Sequence, residues 1–330
     1  MPRAVLIGGT GMIGRAAARA LAVDGWEVVA VSRSGELPDG LAELGVQAVS
    51  ADREDAAQLR AALGAGADAV LDTVAMHREH GEQLNALDGL AGSLVVISSA
   101  SVYADDDGLA LDGEEHDFPQ FPVPVSETQR TAEPGPATYS TQKADLEQTV
   151  LAGPLPATVL RPCAIHGPGA KLPRELFFVK RAVDGRCRVA LAWKGESRFH
   201  TTSVANLAEL IRLAAASPGS RALNAADPDP PTTLEICRAI SHALGHELEP
   251  VLLPADEVEN PWAVPRPFVV SMEAAERELG YRPVATYPEA VGETCAWLVG
   301  ELEQGRSWDG TYLEGMLDYA AEDEALASVA

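Results

Sequence analysis

The chain has 330 residues, 46% apolar and 22% charged, proportions that exclude disorder over most of its length and allow one large α/β domain or two modest ones. Its 49 acidic against 25 basic side chains leave a net charge of −24, which argues against nucleic acid or an anionic membrane as a partner. No apolar run approaches the roughly 18 residues of a membrane-spanning helix.

The opening MPRAVLIGGTG does not have the pattern of a secretory signal, and none is expected. Cys163, Cys187, Cys237 and Cys295 are scattered without a CxxC pair. A cytoplasmic protein with free thiols is therefore expected. From the N-terminus, β-rich apolar runs are predicted at 4–7, 27–31, 46–50, 69–71, 94–97 and 157–160, with Ala- and Leu-rich helical stretches such as 14–23 and 54–63 between them. This alternation predicts βαβ units and a doubly wound, Rossmann-type parallel sheet covered on both faces.

Directly behind the first run stands GGTGMIG, with Gly8, Gly11 and Gly14 in a GxxGxxG pattern at the start of a helical stretch. Glycine permits the tight turn and the close approach of backbone N–H groups to a pyrophosphate, and the helix N-terminus adds favourable charge. Gly8, Thr10, Gly11, Met12, Ile13 and Gly14 are thus expected to hold a dinucleotide. The second run ends in Ser32 and Arg33 and offers no carboxylate for a free ribose 2′-hydroxyl. An arginine there suits a 2′-phosphate, so NADP(H) is favoured over NAD(H). Asp52, after the third run, suits the adenine amino group or serves as the cap of the following helix. His77-x-x-His80 after the fourth run reads as a solvated helix start, with a place bordering the cleft as the alternative.

The fifth run leads into Ser98-Ser99-Ala100-Ser101, hydroxyls at the C-terminal edge of a parallel sheet, where ligands bind. Residues 105–136 are acidic and proline-rich and break the rhythm, as a lid or as a solvated loop. Then comes Tyr139-Ser140-Thr141-Gln142-Lys143, whose i, i+4 spacing puts a phenol and an ammonium on one helix face. With 21 arginines but only 4 lysines in the chain, a lysine at that spacing carries extra weight. Bringing a tyrosine from its ordinary ~10 to ~7 takes about 4 kcal/mol of differential stabilisation, which a nearby ammonium and an oxidised nicotinamide would both favour. His242 and His246, four apart, lack a third ligand, and no metal site is expected. The acidic C-terminal residues YAAEDEALASVA are expected to fray.

The glycine turn, the Ser99 edge and the Tyr139–Lys143 pair, in this order, resemble the extended short-chain dehydrogenase/reductase family, also called the NAD-dependent epimerase/dehydratase group. Arg161-Pro162-Cys163-Ala164-Ile165-His166-Gly167-Pro168-Gly169 is similar to that family's RPxNxYGPG stretch. The segment 198–208 is similar to its RxFxxVxDxA segment, and Leu279-Gly280-Tyr281-Arg282-Pro283 to its LGxxP landmark. The resemblance implies Ser99, Tyr139 and Lys143 as the catalytic set, with Lys143 also binding the cofactor. It places Ser101, His166, Arg198 and His200 toward the substrate, Arg198 where the family often binds a phosphate.

It further implies a dinucleotide-binding domain over 1–165, with 105–136 inserted and part of 201–222 packing back onto it. A smaller, partly discontinuous α/β substrate domain takes up most of 166–330. Family members often pair through a four-helix interface that includes the YxxxK helix, so a homodimer is an expectation. Ala100 and Ser101 stand where family dehydratases carry an Asp-Glu pair, which speaks against a sugar 4,6-dehydratase. Ala164 and His166 replace an asparagine and an aromatic residue and weaken a nucleotide-sugar reading.

The first reading is an NADP(H)-dependent reductase of a small metabolite. The alternative is a nucleotide-sugar epimerase with tightly held NAD. A third, a catalytically inactive dinucleotide-sensing protein, is opposed by the intact Ser–Tyr–Lys set.

Overall fold

The computed structural model describes residues 1–113, 118–256 and 258–328. Its centre is a seven-stranded, all-parallel sheet. In chain order the strands are β1 (Arg3–Ile7), β2 (Glu27–Ser32), β3 (Gln47–Ser50), β4 (Ala69–Asp72), β5 (Leu94–Ile97), β6 (Ala157–Pro162) and, after three short strands elsewhere, β10 (Arg221–Ala225). Their spatial order is β10-β6-β5-β4-β1-β2-β3, with the chain reversing direction of travel beside β1, as in a Rossmann-like α/β fold.

The inner strands are apolar on both sides because helices cover both faces. From β1, Ala4 and Leu6 pack beneath α1 (Met12–Val23) and α6 (Val204–Ala216). Val5 and Ile7 face the opposite core, built with α2 (Ala56–Leu63), α3 (Arg78–Asn85) and α4 (Tyr139–Leu151). A separate core gathers α5 (Leu176–Val183), α7 (Thr233–Leu244) and α9 (Tyr287–Glu303) around Trp262 and Trp308. Two small parallel pairs complete this part, β7 (Ala164–His166) with β9 (Thr201–Ser203), and β8 (Arg188–Leu191) with β11 (Glu249–Leu252). The helix α8 (Glu273–Leu279) follows, and α10 (Ala320–Ser328) ends the described chain. No helix of the described residues is long and apolar enough to cross a membrane.

One expectation is corrected here and another refined. The acidic C-terminus is not frayed where it is described: Glu322 is 1% exposed and forms an ion pair with Arg181, itself 1% exposed. A buried guanidinium needs that carboxylate, so the last helix is held by electrostatics that its composition conceals. The 105–136 segment is exposed over much of its described length, yet it is pinned to the body rather than loose. The Asp105 carboxylate accepts from the N–H groups of Asp107, Leu109 and Gln120, Val125 pairs with Val270, and Phe121 packs on Phe268. Residues 114–117 of this segment lie outside the described residues.

Candidate active site

The turn between β1 and α1 is built around Gly8 and Gly14. Gly8 takes φ +77°, a left-handed conformation open to glycine, and a Cβ on Gly14 would stand 2.1 Å from the Gly8 carbonyl oxygen. No side chain caps the first turn of α1 and no acidic residue sits in it. The helix therefore presents unsatisfied N–H groups toward a cavity of about 590 Å³ lined by Gly8, Gly11, Met12 and Ile13. At Gly11 a Cβ would meet only the Gly8 carbonyl at 3.4 Å, so that side of the turn is open. These features fit a dinucleotide pyrophosphate. Thr10 lies half-buried in the same turn.

At the end of β2 the Ser32 hydroxyl accepts from Gly35 N–H at 3.1 Å, which shapes the loop, and Arg33 is exposed beside it. Asp52 is exposed and accepts from Glu54 N–H. The cap of α2 is Asp55, which accepts from Ala57 and Gln58 N–H, so the capping alternative for Asp52 is not realised.

The hydroxyl residues converge at the C-terminal edge of β5. Ser99 caps a short 3₁₀ turn by accepting from Ser101 N–H at 3.1 Å, and the Ser101 hydroxyl lies 3.2 Å from that of Ser140. Thr138 forms a capping box that starts α4 at Tyr139. Tyr139 is 43% exposed overall, yet burial of its hydroxyl end raises its pKa above the ordinary value; a hydrogen bond with Ser99 opposes that rise and Asp112 adds to it.

Lys143 is buried one turn further along. Its Nζ donates to the carbonyls of Ala75 (2.6 Å) and Ile97 (3.1 Å) and lies 5.8 Å from the centroid of the Tyr139 ring. Burial lowers its pKa to about 8, against the pull of Asp72 and Glu147. The ammonium is directed at backbone carbonyls rather than at the phenol, so desolvation dominates at the Tyr139 hydroxyl.

Tyr139 and Ser99 stand where two cavities meet. The larger is the one beside the glycine turn. The smaller, about 300 Å³, is walled by Leu111, Phe118, Phe199 and Phe268, with Ser101 and Asp112 on its rim. Ser99, Tyr139, Pro162, Cys163, Ala164 and Arg174 line both.

Three residues expected toward the substrate are placed elsewhere. Side chains alternate along an extended segment, so putting Phe199 into the smaller cavity turns Arg198 and His200 away from it. Arg198 lines another groove, donates to the Pro230 carbonyl and lies 3.9 Å from Glu235. His200, 2% exposed, bonds the Asp227 carbonyl (2.8 Å) and accepts from Val270 N–H (3.2 Å); burial lowers its pKa. His166, 1% exposed, is held by the Asp227 carboxylate at 2.9 Å.

Of the HxxH pair, His77 is partly exposed at the start of α3, as a solvated helix start requires, whereas His80 is 3% exposed. Glu54, His77 and His80 bring ligand-type atoms within 4.8 Å of one another. However, His80 Nδ1 accepts from Met76 N–H, which leaves the proton on Nε2, directed at Glu54. A nitrogen carrying that proton is no metal donor.

Sequence reasoning missed the support behind Lys143. Asp72, fully buried, accepts from Val74 and Ala75 N–H (2.9 and 2.8 Å) and pairs with Arg53 at 2.9 Å. This fixes the segment whose Ala75 carbonyl receives the ammonium. It also missed Arg174, Trp262 and Tyr312 on the larger cavity, which no motif marks.

The chain resembles solved structures over 91% of its length. A UDP-N-acetylglucosamine 4-epimerase from Bacillus cereus superposes with TM-score 0.70 at 17% identity, covering 91% of this chain and 100% of that one. A UDP-glucose 4-epimerase from Thermotoga maritima, solved with UDP-glucose, gives 0.69 at 16% identity over 91% and 99% of the two chains. The Bordetella bronchiseptica enzyme WbmG, in complex with NAD, gives 0.68 at 17% identity over 91% and 94%. Among curated proteins there is no significant match. The model of the NAD dependent epimerase/dehydratase family matches residues 4–226, which take in the glycine turn, Ser99, Tyr139 and Lys143, and the chain belongs to that family.

Proposed function

We propose that the chain catalyses reversible hydride transfer between a nicotinamide dinucleotide and a carbinol or carbonyl carbon of a compact, partly apolar metabolite. The observation that carries this reading is that Ser99 and Tyr139 stand together at the junction of the glycine-turn cavity and the phenylalanine-walled one. The dinucleotide, when bound, supplies or accepts the hydride. Gly8, Thr10, Gly11, Met12, Ile13 and Gly14 would hold it together with the N-terminus of α1. In the reducing direction Tyr139 gives its phenol proton to the oxygen that becomes the alcohol, and Ser99 holds that oxygen. Lys143 has three N–H donors and commits two of them to Ala75 and Ile97, leaving one to hold the nicotinamide ribose.

Arg33 is the residue assigned to the 2′-phosphate. Arg33→Ala is expected to weaken NADPH by about ten-fold while changing NADH by less than two-fold, as loss of one charge-assisted contact implies. Equal losses in fluorescence titrations would remove Arg33 from phosphate recognition.

A second reading, epimerisation of a nucleotide sugar, is supported by the family match and by the UDP-sugar epimerase structures that superpose on 91% of the chain. The two readings differ in cofactor retention. An epimerase keeps its dinucleotide through an internal redox cycle, whereas a reductase exchanges it each turnover. Denaturing freshly purified protein and assaying the released nucleotide decides between them: near-stoichiometric NAD(H) supports the epimerase, and an empty protein that takes up NADPH supports the reductase.

A further inference from the structure

Most arginines with a buried or half-buried side chain in this fold meet a carboxylate, as Arg161 meets Glu147, Arg181 meets Glu322 and Arg212 meets Glu209. Arg174 does not: among the described residues it forms no ion pair. Its guanidinium is stacked over Phe199 (4.3 Å to the centroid) and near Trp262 (5.5 Å), and one nitrogen donates to the Pro261 carbonyl at 2.6 Å. The Tyr312 hydroxyl is a further hydrogen-bond neighbour. Stacking fixes the plane of the guanidinium and leaves most of its five N–H donors unspent along the edge. This oriented cation lines both cavities, and so does Tyr139. Trp262 lines the larger cavity and leaves its indole N–H without an acceptor.

We propose that Arg174 recognises a carboxylate on the substrate, which makes the substrate class a compact oxo or hydroxy acid with an aromatic or branched apolar body. The inference rests on the hydride-transfer reading of the same site and names its substrate chemistry. The apolar body is the part that Phe118, Phe199 and Phe268 accommodate. A monoanion fits better than a phosphate dianion, because Arg174 is the one cation on the aromatic cavity among the described residues and Asp112 lies on its rim. Lys171 lines only the larger cavity, where the buried Glu175 carboxyl also stands. A planar carboxylate also matches the two-pronged donor edge of an arginine.

The test is equilibrium binding to the full chain loaded with oxidised dinucleotide, using phenylacetate, its neutral isostere phenylacetamide, and phenyl phosphate as probes. Phenylacetate should bind at least about ten-fold more tightly than the amide, the usual consequence of losing a charge-assisted hydrogen bond. Arg174→Met should abolish this preference and Arg174→Lys should keep part of it, with dinucleotide affinity within two-fold in both. Equal binding of acid and amide, no binding of the acid, or a preference surviving in Arg174→Met would overturn the proposal. Tighter binding of phenyl phosphate would overturn the choice of a carboxylate, and loss of dinucleotide affinity in Arg174→Met would give the guanidinium to the cofactor instead. Because binding is read without turnover, a failure here is separable from a failure of the hydride-transfer reading, which the Tyr139 variant tests.

Discussion

Tyr139→Phe is expected to lower turnover by roughly 10²–10⁴-fold, the range for loss of a positioned general acid, while dinucleotide affinity stays within a few-fold. The substitution removes one oxygen and nothing that holds the fold. Tyr139 as a whole is 43% exposed, and α4 is started by the Thr138 capping box, which does not involve the phenol. What disappears is the proton that the proposed reduction delivers. The raised pKa of Tyr139 sets the pH dependence. Its phenol is protonated at neutral pH, so reduction should proceed unimpaired there and decline only in alkaline solution. Oxidation of the alcohol needs the phenolate and should accelerate as pH rises. Steady-state rates in both directions, for wild type and variant, check this; a variant that turns over like wild type removes Tyr139 from the chemistry.

The parts of this molecule that were legible in the sequence are those whose causes are local. β5 coincides with the predicted run at 94–97 because a strand buried on both faces must be apolar at each position. β6 runs on to Pro162, beyond the predicted end at Leu160, because Arg161 interrupts the apolar run yet stays in the strand, neutralised by Glu147 from α4. The glycine turn and the YxxxK spacing were likewise readable, since each is a contiguous motif serving one purpose.

The substrate side was not readable. Its walls come from Phe118, Phe199, Phe268 and Arg174, four segments that carry no shared pattern and meet only after folding. The same limit explains Arg198 and His200: the segment was identified, but the choice of Phe199 as its inward residue depends on the facing strand at Phe268. Glu322 is the limiting case, an acidic residue in an acidic tail whose partner, Arg181, lies 141 positions away.

Asp227→Ala is expected to cost about 3–5 kcal/mol of stability, the range for breaking a buried ion pair by removing one partner. The carboxylate is a hub. It receives His166 Nε2 (2.9 Å), the Thr201 hydroxyl (2.8 Å), Ser203 N–H (2.6 Å) and the Asn206 amide (2.8 Å), and so ties β7 and β9 to the start of α6. Burial opposes charge at both partners, yet the pairing prevails: His166 is raised above its ordinary value, and Asp227 is lowered to about 2. A histidine raised in the folded state contributes fully below its unfolded pKa near ~6.5 and loses that contribution as pH climbs through the folded value. An aspartate lowered in the folded state contributes fully above its unfolded pKa near ~3.9 and loses it as pH falls toward the folded value. The pair is therefore worth most between roughly pH 4 and 6.5, where the wild-type advantage over Asp227→Ala should peak in denaturant titrations. His166→Ala combined with Asp227→Ala should cost little more than Asp227→Ala alone, since the two charges act as one unit. Additive losses, or an advantage that does not vary with pH, would reduce Asp227 to an ordinary hydrogen-bond acceptor and leave His166 neutral in the fold.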